Sequence, residues 1–125
     1  MRLLLDTHAL IWWLDDNPIL SQPAREAISE YRNLVLASVV SVWEIVIKKS
    51  LGKLRAPQNL EEELVKHRFQ PLPIAMHHAL AVEQLPHYHQ DPFDRMLVAQ
   101  AQVESLTLVT RDPMMRKYDV SVLLA

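Results

Sequence analysis

Short runs of apolar residues alternate with amphipathic segments along the whole chain. Four runs predict strands: LLL at residues 3–5, LVLAS at 34–38, LTLVT at 106–110 and VSVLL at 120–124. A fifth run, FQPLPI at 69–74, predicts at most a short edge strand, because its two prolines remove backbone donors. The runs are continuously apolar rather than alternating, which is typical of strands covered on both faces.

The segments between these runs carry helical spacing and helix-boundary residues. Thr7 is a suitable N-cap for a helix through HALIWWL, and Asp91-Pro92 supplies a capping side chain followed by proline at the first helical position. The further predicted helices cover residues 21–32, 41–54, 59–68, 76–85 and 91–104, with a short one in DPMMRKY at 112–118.

Strands that alternate with helices predict one α/β domain over residues 1–125, a three-layer α/β/α sandwich around a central, mostly parallel sheet of about four or five strands. Right-handed crossovers place the carboxyl ends of parallel strands along one edge of the sheet. Ligands of open α/β sheets bind at that edge, so functional residues are expected there.

The amino-acid composition excludes several classes of functional site. The chain has no cysteine, which excludes disulfides, thiolate zinc sites and cysteine nucleophiles and suits a reducing cytoplasm. Its single glycine, Gly52, nearly excludes phosphate-binding loops that need several glycines. The net charge of −2 gives no overall basic surface for nucleic acid. The apolar start, residues 3–14, is too short to span a bilayer and is interrupted by Asp6 and His8, so a cytoplasmic protein without a membrane segment is expected.

Four acidic residues stand where strands end or helices begin. Asp6 follows the first strand, Glu44 lies in the first turn of the predicted helix after LVLAS, Asp94 lies in the first turn after Asp91, and Asp112 follows LTLVT. Parallel topology sends all four towards the same edge. A lone buried charge is costly, so Asp6 is expected to be paired, exposed at a cleft or bound to a cation.

Each acid also has a purely structural interpretation. Glu44 fits a capping box with Ser41 and an i,i+4 pair with Lys48, whereas Asp94 and Asp112 suit helix starts. Taken together, converging carboxylates repel one another, and a divalent cation removes that conflict. Oxygen ligands favour Mg²⁺ or Mn²⁺, and such ions serve phosphodiester hydrolysis by activating water and neutralising phosphate charge.

These segments resemble the PIN-domain family, in particular the VapC-type toxins of bacterial toxin–antitoxin pairs. The resemblance rests on LLLDTHALIWWL, on SVVSVWEIVIKKSLGKL, on LPHYHQDPFDRMLVAQA, which is the most specific stretch, and on LTLVTRD. It runs nearly from end to end of the chain, and no acid departs from the family pattern.

The resemblance implies a metal-dependent endoribonuclease, the toxin of a type II toxin–antitoxin pair. Carried over residue by residue, Asp6, Glu44, Asp94 and Asp112 are its catalytic and metal-binding acids, and the Thr110 hydroxyl orients a water or a ligating acid. The family also implies a homodimer and a cognate antitoxin that fills the cleft with a basic residue. The acidic net charge favours a small structured RNA over a long one.

Other kinds of site fit the sequence less well. His87 and His89, like His77 and His78, suggest a zinc site, but no complete third ligand is evident. A serine hydrolase lacks its G-x-S-x-G elbow, and a phosphoryl-accepting receiver domain would need an Asp after LVLAS. A catalytically silent binding or dimerisation module remains as the alternative, which metal-dependent cleavage would distinguish.

Aromatic and basic residues are candidates for contact with nucleic acid. Trp12, Trp13 and Trp43 can stack on bases, although helical tryptophans more often fill cores or interfaces. The basic stretch at 48–55 can contact phosphate or form a solvated helix end. Arg95 directly follows Asp94 and is expected to face the cleft, paired with an acid or with phosphate.

Overall fold

The computed structural model describes residues 1–125. It contains five strands and six α-helices in the order β1 (Arg2–Leu5), α1 (Thr7–Leu14), α2 (Gln22–Ser29), β2 (Leu34–Ser38), α3 (Val39–Ser50), α4 (Leu60–Lys66), β3 (Gln70–Leu72), α5 (Met76–Ala81), α6 (Pro92–Val103), β4 (Thr107–Thr110) and β5 (Val122–Leu124). Single turns of 3₁₀-helix follow α5, at Val82–Gln84, and β4, at Met115–Lys117. None of the helices has both the length and the apolar character that crossing a membrane requires.

The strands form one sheet in the order β3-β2-β1-β4-β5, and every neighbouring pair is parallel. Leu4 of the central strand lies between Leu36 of β2 and Leu108 of β4. The predicted α/β class, the parallel sheet and the edge position of the proline-containing strand are therefore confirmed.

The central strand explains the three layers. Leu3 and Leu5 point to one face of the sheet, where they pack in a core with residues of α1, α2, α3 and α4. Leu4 points to the other face and joins a second core, built largely on α6. All three leucines are completely buried, because helices cover both faces.

Several predicted boundaries shift by a few residues. The N-cap of α1 is Asp6 rather than Thr7, and the N-cap of α3 is Ser38 rather than Ser41. Helix α3 ends at Ser50 rather than at Leu54, because Gly52 takes the positive φ angle of +69° that terminates a helix.

A buried glutamine connects the sheet to the helix layer. Gln100 of α6 is fully buried, and its Oε1 accepts a hydrogen bond of 2.6 Å from the hydroxyl of Ser38 at the end of β2. Its amide donates to the carbonyl of Pro73 at 3.2 Å, just beyond β3. These bonds fix α6 relative to the carboxyl ends of two strands, because buried polar groups are costly to leave without partners.

Replacing Gln100 with Ala should lower the free energy of unfolding by about 2–4 kcal/mol, because it leaves a cavity and unpaired polar groups at Ser38 and Pro73. The matched control is Gln102→Ala, an exposed position on the same helix, for which a change below about 0.5 kcal/mol is expected. Urea titration followed by circular dichroism measures both variants. Equal losses in the two variants would contradict the role assigned to Gln100.

Candidate active site

Asp6 lies at the carboxyl end of β1, and its carboxylate is almost fully buried. As the N-cap of α1 it accepts a 2.8 Å hydrogen bond from the backbone N–H of Ala9 through Oδ1. Its Oδ2 accepts a 2.6 Å bond from the hydroxyl of Thr110, at the end of neighbouring β4. Burial raises the pKa of Asp6 above its usual value, and these hydrogen bonds only partly offset it. The hydroxyl of Thr110 thus orients an acid, one of the two functions predicted for it.

Glu44 reaches the same edge from α3, which begins directly after β2. Both of its oxygens are held: Oε1 accepts from the Thr7 hydroxyl at 2.7 Å, and Oε2 accepts from Lys48 Nζ at 2.6 Å. The hydrogen bond to Glu44 also raises the pKa of Lys48. The expected capping box with Ser41 is wrong, because Ser41 lies inside the helix and contacts Thr7 Oγ1 at 3.0 Å.

Asp112 follows β4 and is fixed at both oxygens. Oδ1 accepts from the backbone N–H of Met114 at 2.8 Å, and Oδ2 lies 2.8 Å from Nε2 of His89. Burial raises the pKa of Asp112, but the hydrogen bonds from His89 and Met114 outweigh it and leave the pKa below its usual value. The hydroxyl of Thr110 accepts the N–H of Asp112 at 3.1 Å, which joins this residue to the Asp6 network.

Asp94 differs from the other three acids because no donor meets it in hydrogen-bonding geometry. Its nearest polar neighbour, Nε2 of His89, is 3.0 Å from Oδ2 but directs its hydrogen bond to Asp112. Burial, followed by repulsion from Asp91 and more weakly from Glu44 and Asp6, raises the pKa of Asp94 to about 7. The four predicted acids are thus brought to one edge of the sheet, and one of them, Asp94, accepts no hydrogen bond.

The arrangement fits a divalent cation. Asp94 and Asp112, with His89 beside them, are close enough together to share an ion, and the carboxylate oxygens of this edge suit Mg²⁺ or Mn²⁺. Most of these oxygens already accept one hydrogen bond, and each keeps a second lone pair for a metal. The uncompensated charge of Asp94 is what a bound cation would neutralise, so the residues present are consistent with the expected metal.

Arg95 does not take the predicted position. Its buried guanidinium turns away from the acids and donates to the backbone carbonyls of Val82 and Pro86, at 3.3 Å and 3.0 Å, and to the Tyr118 hydroxyl at 3.3 Å. It forms no ion pair with an acidic residue. The expectation of a cleft arginine is therefore corrected: Arg95 organises the loop before α6, since neighbouring positions on a helix face different directions.

His89 and Thr7 have larger roles than the sequence predicts. Of the two positions predicted for His89, supporting the Asp91 turn is confirmed, since its Nδ1 accepts the N–H of Asp91 at 3.1 Å. Its Nε2 lies between Asp112 and Asp94. The sequence predicts Thr7 only as a helix cap, whereas its hydroxyl bonds to Glu44. Its position directly after Asp6 is the signal in the sequence that places it near the acids.

The histidine pairs do not form the suspected H-x-H zinc site. His87 is exposed and belongs to neither of the groups of side chains close enough to share a metal. His77 and His78, in contrast, gain a third potential ligand that the sequence does not reveal: they meet Glu104, with Nε2 to Oε2 distances of 3.3 Å and 3.0 Å, and the three side chains are close enough to share a metal. The hydrogen bonds from His78 and His77 lower the pKa of Glu104.

A cleft of about 390 Å³ opens beside Asp6 and Asp112. Its other walls come from His8, Trp12, Arg111 and Pro113. The rings of His8 and Trp12 stack with centroids 5.8 Å apart, and the Arg111 guanidinium lies 4.9 Å from the centre of the indole. The stacked rings and the Arg111 guanidinium therefore lie next to the acids.

The other two tryptophans lie elsewhere. Trp13 packs on His67 and Phe69 in and beside the core, as the structural interpretation predicted. Trp43 remains 56% exposed and contacts Phe93 edge-to-face, with ring centroids 5.1 Å apart. Within the basic stretch, Lys48 pairs with Glu44 and Lys49 donates to a backbone carbonyl, so both lysines bind groups of this chain.

The site and the fold together describe a parallel α/β domain with the strand order 3-2-1-4-5 and acidic side chains at the carboxyl edge of its sheet. Comparison with known proteins identifies the family to which this domain belongs. The profile of the PIN domain matches residues 3–121. The chain belongs to the PIN-domain family. No curated protein matches the sequence.

Several solved structures share this fold. A chain of VapBC2 from Rickettsia felis, solved with a DNA fragment from its promoter, superposes with a TM-score of 0.73 at 14% identity, covering 98% of both chains. DNA-bound VapBC from Salmonella typhimurium gives 0.69 at 18% identity, covering 98% of this chain and 97% of that one. FitAcB from Neisseria gonorrhoeae gives 0.65 at 21%, covering 98% and 96%.

The raised pKa of Asp94 predicts a pH-dependent stability in the absence of divalent ions. In the unfolded chain Asp94 ionises near 3.8, whereas in the folded protein it ionises near 7. Its favourable contribution is therefore complete below pH 3.8 and is lost as the pH rises through 7. At pH 8 in EDTA, Asp94→Asn should be more stable than the wild type by about 2 kcal/mol, after allowance for partial exposure.

Thermal unfolding at pH 4 and pH 8 measures this difference. The advantage of Asp94→Asn should vanish at the lower pH, and the control Asp119→Asn, at an exposed position, should show no such trend. Saturating Mg²⁺ should reverse the order by stabilising only the wild type. A variant that is less stable at both pH values would contradict this prediction and show that the Asp94 carboxylate stabilises the fold.

Proposed function

We propose that this protein is a divalent-metal-dependent endoribonuclease and the toxin of a type II toxin–antitoxin pair, acting in the cytoplasm. The observation that carries the proposal is the meeting of Asp6, Glu44, Asp94 and Asp112 at one sheet edge, where Asp94 has no hydrogen-bond donor and a pKa raised to about 7. Structural acids would be expected to have their own partners, as buried charges usually do.

The chain's own residues prepare this site for Mg²⁺ or Mn²⁺. Thr110 and the N–H of Ala9 orient Asp6, while Thr7 and Lys48 fix Glu44. Asp6, Glu44 and Asp94 would hold the cation, and Asp112 would complete the site. When bound, the cation supplies activation of water and neutralisation of phosphate charge. No protein nucleophile is then required.

The cleft beside the acids suits an RNA strand. Arg111 offers a cation for a phosphate, and the exposed His8 ring, stacked on Trp12, offers a surface for a base. Few other cations line this cleft and the net charge of the chain is −2, which favours a small structured RNA over long non-specific contacts.

The same proposal includes two protein partners, a cognate antitoxin and a second copy of the chain. A toxin–antitoxin complex from Klebsiella pneumoniae among the solved structures of this fold supports the first. A groove of about 250 Å³ between α1, α3 and α4, lined by Ile11, Leu14, Ile45 and Leu60, offers an apolar surface for an antitoxin segment. A basic antitoxin residue placed against the acids would neutralise the charge of the Asp94 carboxylate when no cation is bound. The homodimer is proposed on the family resemblance alone.

Asp6→Asn should reduce Mg²⁺-dependent RNA cleavage by at least about 100-fold, because the site loses a charge that faces the cation and the phosphate. Asparagine is also a good N-cap, so α1 should remain folded. Asp119→Asn is the matched control and should cleave like the wild type. Sequencing of the RNA ends produced by the purified chains measures the activity and identifies the cleavage sites.

Expression in bacteria provides a second readout. The wild type should arrest growth and Asp6→Asn should not, with equal amounts of folded protein in both cultures. Equal cleavage or equal toxicity of the two would refute the nuclease mechanism. A folded wild-type chain without any metal-dependent cleavage would instead support a catalytically silent binding module.

A further inference from the structure

His89 occupies a position between two acids of the site. Its ring is mostly buried, and its Nε2 lies 2.8 Å from Oδ2 of Asp112 and 3.0 Å from Oδ2 of Asp94. Its other ring nitrogen, Nδ1, accepts the backbone N–H of Asp91 at 3.1 Å. One ring nitrogen of His89 and one oxygen each of Asp94 and Asp112 are also close enough together to share a metal ion.

The backbone contact decides which ring nitrogen carries the proton. The N–H of Asp91 always has its hydrogen, so Nδ1 must present its lone pair to it. The proton of the neutral ring therefore resides on Nε2, where it points at Asp112. A nitrogen in this state has no lone pair to give to a metal.

We infer that His89 is a positioning residue and not a metal ligand: through Nε2–H it holds Asp112 beside Asp94, so that oxygen atoms alone face the cation. The inference deepens the proposed function and rests on it. With Met114 N–H on its other oxygen, Asp112 is held from both sides. Asp94 is left without a donor and free to bind the cation.

The consequence is a preference for hard cations. A site with an imidazole ligand would favour Zn²⁺ or Ni²⁺, whereas an all-oxygen site favours Mg²⁺ and Mn²⁺. In the second histidine–carboxylate group of the molecule, a backbone N–H again determines which ring nitrogen carries the proton. His78 Nδ1 accepts the N–H of Ala75 at 3.0 Å, so its Nε2–H is directed at Glu104, 3.0 Å away.

Two substitutions separate the functions of the ring. His89→Gln places an amide N–H near the position of Nε2 and should keep the bond to Asp112. His89→Asn keeps an acceptor near the position of Nδ1 for Asp91 but loses the donor to Asp112. His87→Gln, at an exposed position two residues earlier, is the control.

Calorimetric titration of the full chain with MgCl₂ measures the effect. His89→Asn should weaken Mg²⁺ binding about 10-fold, and His89→Gln should stay within about 3-fold of the wild type, as expected for a residue that orients a ligand. RNA cleavage by His89→Asn should recover at high Mg²⁺, so that the loss is in metal affinity rather than in the saturated rate. The ratio of Zn²⁺ to Mg²⁺ affinity should be equal in the wild type and His89→Gln.

Two-bond ¹H–¹⁵N spectra of the histidine rings test the proton position directly. The His89 ring should carry its proton on Nε2 with and without Mg²⁺. A proton on Nδ1, or a selective loss of Zn²⁺ binding in His89→Gln, would overturn the inference and make His89 a ligand. Unchanged Mg²⁺ affinity in His89→Asn, in a wild type that binds Mg²⁺ and cleaves RNA, would defeat the inference alone. A wild type that binds no divalent cation would defeat the proposed function as well.

Discussion

The burial of carboxylates at the carboxyl edge of the sheet, together with their weaker mutual repulsion, is the constraint that the rest of this structure has to satisfy. Three of the four acids meet it with fixed donors: Asp6 has Thr110, Glu44 has Thr7 and Lys48, and Asp112 has His89. Asp94 has no such donor, and its pKa is raised to about 7. Burial thus leaves the pKa values of two of the four acids raised, those of Asp6 and Asp94, and only Asp94 accepts no hydrogen bond. Such perturbed carboxyl groups are common at functional sites.

The order of the strands in the sheet brings the four acids together. The central strand β1 ends at Asp6 between β2, which leads into the helix of Glu44, and β4, which carries Thr110 and leads to Asp112. Because all the strands are parallel, these ends lie on one edge although they are far apart in sequence. The leucines of β1 bury both faces of the strand, so the edge is held by two cores at once.

Helix α6 shows how closely site and scaffold are combined. Asp94 faces the acids, Arg95 holds the carbonyls of the preceding loop, and Gln100 connects the helix to Ser38 at the end of β2. The loop bound by Arg95 is the one that carries His89. The backbone N–H of His89 also donates to the Tyr118 hydroxyl at 2.9 Å. The position of His89 against Asp112 therefore depends on an arginine that does not touch the acids.

The sequence by itself determined the strands, the parallel sheet and the identity of the four acids, because continuous apolar runs and residues at strand ends follow from local pattern. The tertiary structure alone decided which partner each polar side chain has. Asp6 caps its own helix, Ser41 does not cap α3, and Arg95 faces a loop rather than the cleft. The proton of His89 is placed by a backbone N–H two residues away. Such outcomes depend on rotations of a few tens of degrees and on contacts between distant segments, which the spacing of residues along a chain does not encode.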